Sequence, residues 1–553
     1  MKKALQANSR VIFYLLLLLL GLLQAGLSEI QDDEAYYWVY SRYPDWGYFD
    51  HPPMTAFLIK AGYAIIPNEL GVRLFPVILF VLSVRVMEKL TAPKNPLLFY
   101  AVFLSMATLQ LTAHMAVPDI PLLFFTALFF LCYQRFIRSS NFLNIFLLGL
   151  SIALLFYTKY QATLVVVLVV LSNPRLLLRG PFWIASLFAL LLFLPHLWWQ
   201  YEHDWLSFKY HLLESNVNPY KIRYTLGYLL GQLFLMGPIA SLILIPAAII
   251  YKPEDKLENG FRFVFIGTLV FFLLSSFRGK VEANWTAPAL IVLIPLAYKF
   301  LEEKIAWRKW LFRLLPLSLA FTLFGRIALI VDIIPVHSFK VRYHSWKNWP
   351  AIMKEKTKGL PIVFENSYQR ASRYWFYTGQ MTYSQNSYKD RKNNYNFWPV
   401  EDSLLGKPVY MLDIYGLEKF NDSLYTPIGW VGYKFDPSFA SFAKIKILVQ
   451  QPVFRVRQGD SLELHCRFVI PPLYKKFITT RPLPTHEVII GLFKNNTWVK
   501  DIPTGLTLGP GREFELIKID PGESKGSYTL RFTIAVEGYH SSHNSDNIKL
   551  LIE

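Results

Sequence analysis

The chain is short of cysteine, of charge and especially of acidic residues. Only 2 of its 553 residues are cysteines. Cys132 lies inside an apolar run and Cys466 far away in a polar stretch. Position alone gives no ground for a disulfide, so the chain tolerates an oxidising compartment without needing one. Charged residues make up 17% of the sequence, less than a soluble protein of this length normally carries. Asp and Glu total 39 against 57 Lys and Arg, a net charge of +18. No zinc-finger pattern and no arginine-rich tail accompany that excess, so it is not read as nucleic-acid binding. Internal repeats are missing too, and with them the halved symmetry of many transporters.

What the chain has instead is apolar length. It is 53% hydrophobic and 16% aromatic, with a mean hydropathy of +0.29. Apolar runs recur through the first 335 residues, which makes the class a polytopic membrane protein. The run from Val11 to Leu27 is longer than a signal-peptide core and no small-x-small cleavage site follows, so it is expected to stay as the first membrane helix. Length and lack of charge predict about eleven spans. They fall near 11–28, 71–88, 97–113, 120–137, 142–158, 161–173, 181–199, 225–250, 261–277, 285–300 and 311–333.

The charge pattern orients them. With the N-terminus inside, the inner loops hold Lys2, Lys3 and Arg10, then Lys89 and Lys94, Arg135 and Arg138, Arg175 and Arg179, Lys252 and Lys256, and Lys304, Arg308 and Lys309. The two short outer turns near 114–119 and 158–160 hold only Lys159. Lys and Arg gather on the cytoplasmic side and near anionic lipid headgroups, so this is positive-inside behaviour. It places "QDDEAYYW" at 31–38, and everything after residue 335, outside.

Beyond the membrane part, 336–440 reads as a small α/β region: "PIVFE" and "PVYMLDIY" as strands, "SYQRASRYWFY" as a helix. Residues 441–553 alternate apolar and polar in "AKIKILV", "SLELHCRFVI", "HEVIIGLF", "SYTLRFTIAV" and "IKLLIE", with "QGD", "KNN" and "GPG" as turns. That pattern predicts an Ig-like β-sandwich. Three domains are therefore expected: 1–335, 336–440 and 441–553.

Chemistry concentrates in the outer loops. Asp32, Asp33 and Glu34 follow the first apolar run and precede Tyr36, Tyr37 and Trp38. An acidic triplet is usually a solvated helix start. At a membrane face it also suits a general base for an attacking hydroxyl or amine, with a second carboxylate orienting the first or holding a divalent metal ion. Glu34 and Asp119 are the candidate metal ligands. In "GYFDHPP", Asp50 and His51 sit before Pro52 and Pro53, a rigid turn whatever its chemistry. Asp119, between two prolines, can cap a helix and serve a site at once. Lys159, beside Tyr160, can snorkel to the interface. "FRGKVEANWTAP" offers Arg278, Lys280 and Glu282, and its two cations suit a lipid-borne phosphate.

Taken in order, "DEAYYW", "DWGYFDHPPM", "VPDIPLLFF", "TKYQATL", "PHLWWQYEHDWLSF" and "KVEANWTAPAL" resemble the bacterial glycosyltransferases of GT-C fold. The group is the protein O-mannosyltransferase-like one, glycosyltransferase family 39, which includes the aminoarabinose transferases of lipid A. The resemblance runs over roughly residues 10–400, with weaker echoes in "NSYQRASRYWFYTG" and "DRKNNYNFW". It implies a plasma-membrane enzyme, in the bacterial inner membrane, with its C-terminal domains outside. Such an enzyme inverts a hexosyl or pentosyl sugar as it moves it from polyprenyl phosphate to a lipid, glycan or protein acceptor. It implies catalysis by Asp33, with Asp32 as stand-in, a downstream role for Asp119, and phosphate contacts at Lys159 and Lys280. The C-terminal sandwich is not part of the common family pattern, which leaves the acceptor open. A transporter or flippase of a lipid-linked sugar is the alternative reading, and an envelope scaffold a third; the carboxylate set argues against the scaffold.

Overall fold

The computed structural model describes residues 2–214, 219–413, 420, 422–509 and 511–553. The chain forms two compact units, Met1–His344 and Ser345–Glu553. Where the sequence suggests three domains, the α/β and sandwich regions share the second unit.

The first unit is helical. It begins with α1 (Lys2–Leu27), α2 (Asp32–Arg42), α3 (Met54–Ile65), α4 (Glu69–Thr91), α5 (Pro96–Ser105), α6 (Ala107–Thr112), α7 (Asp119–Arg138) and α8 (Phe142–Phe156). It continues with α9 (Ala162–Ser172), α10 (Gly180–Glu202), α11 (Leu206–Lys209), α12 (Ile222–Leu235), α13 (Ser241–Ile250), α14 (Lys256–Ser275), α15 (Ala287–Glu303) and α16 (Ile305–Ile330). Among the described residues, 7 helices are long and apolar enough to cross a membrane, and shorter apolar helices fill the remaining expected spans. The central helix is α15, whose residues from Ala287 to Tyr298 are all buried.

Two expected spans are broken. The 97–113 segment stops at Ser105 and restarts after Met106, and 225–250 is interrupted at Gly237, which has φ +110°. The two breaks meet: a Cβ on Gly237 would lie 2.8 Å from the Ser105 carbonyl oxygen. Hydrocarbon offers no water to the freed carbonyls, so side chains must serve them. The Gln110 amide donates to Phe103 O at 3.2 Å and the Thr108 hydroxyl to Phe234 O at 2.6 Å.

The second unit opens with a five-stranded mixed sheet. Its strands are β1 (Ile362–Glu365), β2 (Thr382–Gln385), β3 (Val409–Asp413), β4 (Asp422–Thr426) and β5 (Gly429–Asp436), in the order β2-β1-β3-β5-β4. β1 pairs in parallel with β2 and β3, as the connection through the helix Tyr368–Thr378 requires. The end of "PVYMLDIY", residues 414–415, and Pro510 of "GPG" lie outside the described residues. The sandwich follows with β6 (Lys446–Val449), β7 (Val453–Val456), β8 (Leu462–Val469), β9 (His486–Lys494), β10 (Thr497–Leu506), β11 (Phe514–Ile519), β12 (Gly526–Val536) and β13 (Ile548–Ile552). They form the sheets β10-β9-β12-β13-β7 and β11-β8-β6. Strict alternation of buried and exposed residues along β8 shows one face on the core and one on solvent.

Candidate active site

The acidic triplet opens α2, and the helix divides it. Successive helical residues point about 100° apart, so three neighbours cannot share one face. Glu34 turns inward and is fully buried. Its two carboxylate oxygens accept from Arg73 Nε at 2.7 Å and Nη2 at 2.6 Å. They also accept from the backbone N–H of Gln31 at 3.0 Å and of Ala116 at 2.8 Å. The remaining Arg73 donors go to the carbonyls of Ala25, Ser28 and Glu29. Burial pushes the Glu34 carboxyl up, but Arg73 and the N–H donors hold it below the usual carboxylate range. Where a catalytic or metal-binding role was expected of Glu34, its oxygens are taken up in a clamp that fixes α2 and the 113–118 loop onto α4. Asp33 is exposed and Asp32 half-buried at the same helix start, both on the solvent side of that clamp. His114 is buried beside Arg73, which together push its imidazole down to about 3 and keep it neutral.

Asp119 opens α7 and is the hinge of a second cluster. One oxygen accepts from Lys159 Nζ at 2.8 Å and the other from Asn284 Nδ2 at 3.0 Å. Lys159 is 4% exposed, so it is no snorkelling anchor. Three stretches far apart in sequence are thus joined at one carboxylate. The chain runs from Ala116, held by Glu34, to Asp119 in three residues, which links the two clusters.

The 43–53 and 200–211 loops lock over the same end of the bundle. Tyr160 shares its hydroxyl with His196 Nε2 at 3.3 Å and accepts from Gln200 at 2.9 Å. His196 Nδ1 donates to Trp46 O at 2.7 Å, and Ser207 Oγ to Tyr48 O at 2.8 Å. The Asp50 side chain accepts from Tyr40 at 3.4 Å, and its carbonyl from His211 at 3.0 Å. Burial, with Tyr36 and Asp50 alongside, pushes the Tyr40 phenol up. His51 packs edge-on against Tyr37, ring centroids 5.6 Å apart. Gly47 allows the closest approach: a Cβ there would sit 2.3 Å from the Trp199 ring.

Arg278, Lys280 and Glu282 stay apart from this packing. All three are exposed, and Lys280 pairs with Glu282 at 2.7 Å on the surface. Among the described residues no three His, Cys, Asp or Glu side chains converge as a metal site, and Glu34 and Asp119 have their oxygens committed. The residues present do not fit the divalent ion that the acidic triplet suggested. Sequence reasoning missed Arg73, although a lone arginine in an apolar span is itself a signal. It also missed the roles of His196 and Gln200, whose shared partner Tyr160 lies 36 and 40 residues away.

Residues 50–199 match the family model described as dolichyl-phosphate-mannose-protein mannosyltransferase. The lipid A galacturonosyltransferase RgtD of Rhizobium johnstonii is 26% identical over 297 residues, 50% of this chain and 62% of that relative. The matched segment therefore spans less than two thirds of that protein. The structure of ArnT from Cupriavidus metallidurans superposes with a TM-score of 0.56 at 12% identity, covering 77% of this chain and 98% of that one. Its form bound to undecaprenyl phosphate gives 0.55 over the same shares. The fold of this chain is the polytopic GT-C type; the resemblance to that glycosyltransferase group is supported by the family model and the lipid A relative, each over part of the chain.

Proposed function

We propose that this chain is an inverting membrane glycosyltransferase that moves a sugar from a polyprenyl-phosphate carrier to a lipid-anchored acceptor. The observation that carries the reading is the first turn of α2. Asp33 is exposed and Asp32 half-buried at a helix start that a buried Glu34–Arg73 pair anchors. A rigid carboxylate is the requirement for a general base positioned against a bound acceptor. The acceptor hydroxyl or amine attacks the anomeric carbon from the face opposite the phosphate. Its proton passes to Asp33, the bond from the anomeric carbon to the phosphate oxygen breaks, and polyprenyl phosphate leaves with the electron pair.

Cations at the leaving phosphate stabilise the charge that grows there. Arg278 and Lys280 are exposed and can meet it without breaking a buried pair. Lys159 acts through Asp119, which it neutralises and holds toward Asn284. The lipid-anchored acceptor is supported by the lipid A transferase among the relatives. The positive-inside pattern supports a multi-pass plasma-membrane protein with its second unit outside.

The test is transfer of radiolabelled sugar from a polyprenyl-phosphate donor in membranes bearing the chain, with lipid A precursor as acceptor and mass spectrometry of the product. Labelled acceptor from the native chain and none from Asp33→Asn/Asp32→Asn is the expected result. Label that crosses the bilayer with no covalent product would make the chain a transporter instead.

A further inference from the structure

The end of the bundle remote from α2 carries a concavity. α7 begins at Asp119 in the site and ends at Arg138; its 20 residues rise about 30 Å, one hydrocarbon thickness. α4 begins near α2 and ends with Lys89 in its last turn. Between these two helix ends, the start of α14 and the second half of α15 lies a cavity of about 390 Å³. Its floor is mixed: the buried side chains of Leu90, Leu257, Phe261, Pro295 and Leu296 lie beside those of Thr91, Tyr251 and Glu258. Its rim is cationic, with Lys89, Arg138 and Lys299.

The acidic groups in the cavity wall are already engaged. Asp255 caps α14 by accepting the Glu258 N–H at 2.8 Å. Glu258 accepts from the Tyr251 hydroxyl at 2.7 Å and the Glu254 N–H at 2.9 Å, and pairs with Lys299 at 3.2 Å. Lys89 and Arg138 are both exposed, and among the described residues neither has a carboxylate within ion-pair distance. Two cations with no carboxylate partner among the described residues thus stand over a floor that is apolar in part, at membrane-surface depth. That is the shape of an anionic phospholipid: phosphate between the cations, glycerol and first acyl carbons below. A zwitterionic lipid brings its own cation against the rim, and a free phosphate leaves the floor wet.

We propose that this cavity binds an anionic phospholipid of the leaflet opposite the candidate active site. Its consequence is mechanical. α4 carries Arg73, α7 carries Asp119, and α14 and α15 flank the loop of Asn284. One lipid braces the far ends of the four helices that assemble the site.

The full-length chain is purified in detergent and mixed with phosphatidylglycerol, phosphatidylcholine or inorganic phosphate. Bound lipid is counted by native mass spectrometry and thermal unfolding is followed in parallel. Phosphatidylglycerol is expected to stay bound and raise the melting temperature. Lys89→Gln/Arg138→Gln should lower its occupancy roughly tenfold or more, the effect of losing two interfacial cations. Both side chains are exposed, so the lipid-free melting temperature should not move, whereas Lys89→Arg/Arg138→Lys should keep the lipid. Equal retention by the glutamine variant overturns the proposal. So does equal retention of phosphatidylcholine, or inorganic phosphate reproducing the whole shift.

Discussion

Replacing Glu34 by Gln separates a clamp from a catalyst. The amide keeps the volume of the side chain but removes the carboxylate that pairs with the buried Arg73 guanidinium at 2.6 Å. It also turns an N–H donor toward Arg73 or toward the N–H of Ala116, each of which needs an acceptor. Breaking a buried pair from one side costs about 3–5 kcal/mol, because the other charge stays behind. At about 2 °C per kcal/mol for a unit of this size, the melting temperature should fall by roughly 6–10 °C. The assay pairs thermal unfolding in detergent with transfer measured at low temperature, where the variant is still folded. Transfer should fall as the helix start loosens, but by less than the roughly hundredfold loss of a missing general base. Glu34→Met/Arg73→Met should recover part of the stability, since an apolar replacement of a buried pair is nearly neutral. A native melting temperature with transfer abolished would refute the clamp and return Glu34 to the catalytic set.

The same pair sets an acid limit. The folded Glu34 carboxyl lies below its unfolded value, so its contribution is fully present above the ordinary carboxylate range and is lost as pH falls through the folded value. Native protein should therefore show a steep acid loss of melting temperature below about pH 4, and Glu34→Gln a shallower one. Asp33→Asn should lower transfer by about 10² or more with an unchanged melting temperature; loss at Asp32→Asn instead moves the base by one residue. Lys280→Met should cost under about 1 kcal/mol in stability, as exposed pairs do. Transfer rate against donor concentration then decides whether it touches the leaving phosphate: a lower maximal rate supports this, and unchanged kinetics dismiss it. Lys159→Met should destabilise the helical unit, because it removes the cation beside Asp119 and leaves that carboxylate the Asn284 amide. A reporter active only in the cytoplasm, fused after Glu553, should stay silent; activity there would reverse the orientation.

The spans were legible because each is a plain run of apolar residues, and length alone identifies them. The breaks were harder, since Met106 is as apolar as its neighbours. Gly237 and Pro238 together are a turn signal that the surrounding hydrophobicity masked. In the sandwich, β8 and β12 alternate cleanly, whereas β10 holds Pro503 and Gly505, which belong to an edge strand and hide it from a search for alternation. The acidic triplet marked the right place but not its division of labour. Which of three adjacent carboxylates turns inward depends on helix phase and on Arg73, 39 residues away. The Asp119–Lys159 pair spans 40 residues and has no local signature.

The sandwich's larger sheet runs β10-β9-β12-β13-β7, and β13 joins β12 on one side to β7 on the other. β13, which follows the other four strands of this sheet in the chain, is therefore an inner one. Among the described residues β7 pairs in its sheet with β13 alone, and its parallel register, Lys549 on Val453 to Ile552 on Val456, cannot be tried earlier. If this unit crosses the membrane during synthesis, it waits in an open form with β7 unpaired. That interval is when a periplasmic-type chaperone or a protease would meet it, and its length is set by translation rate rather than by any barrier within the native fold.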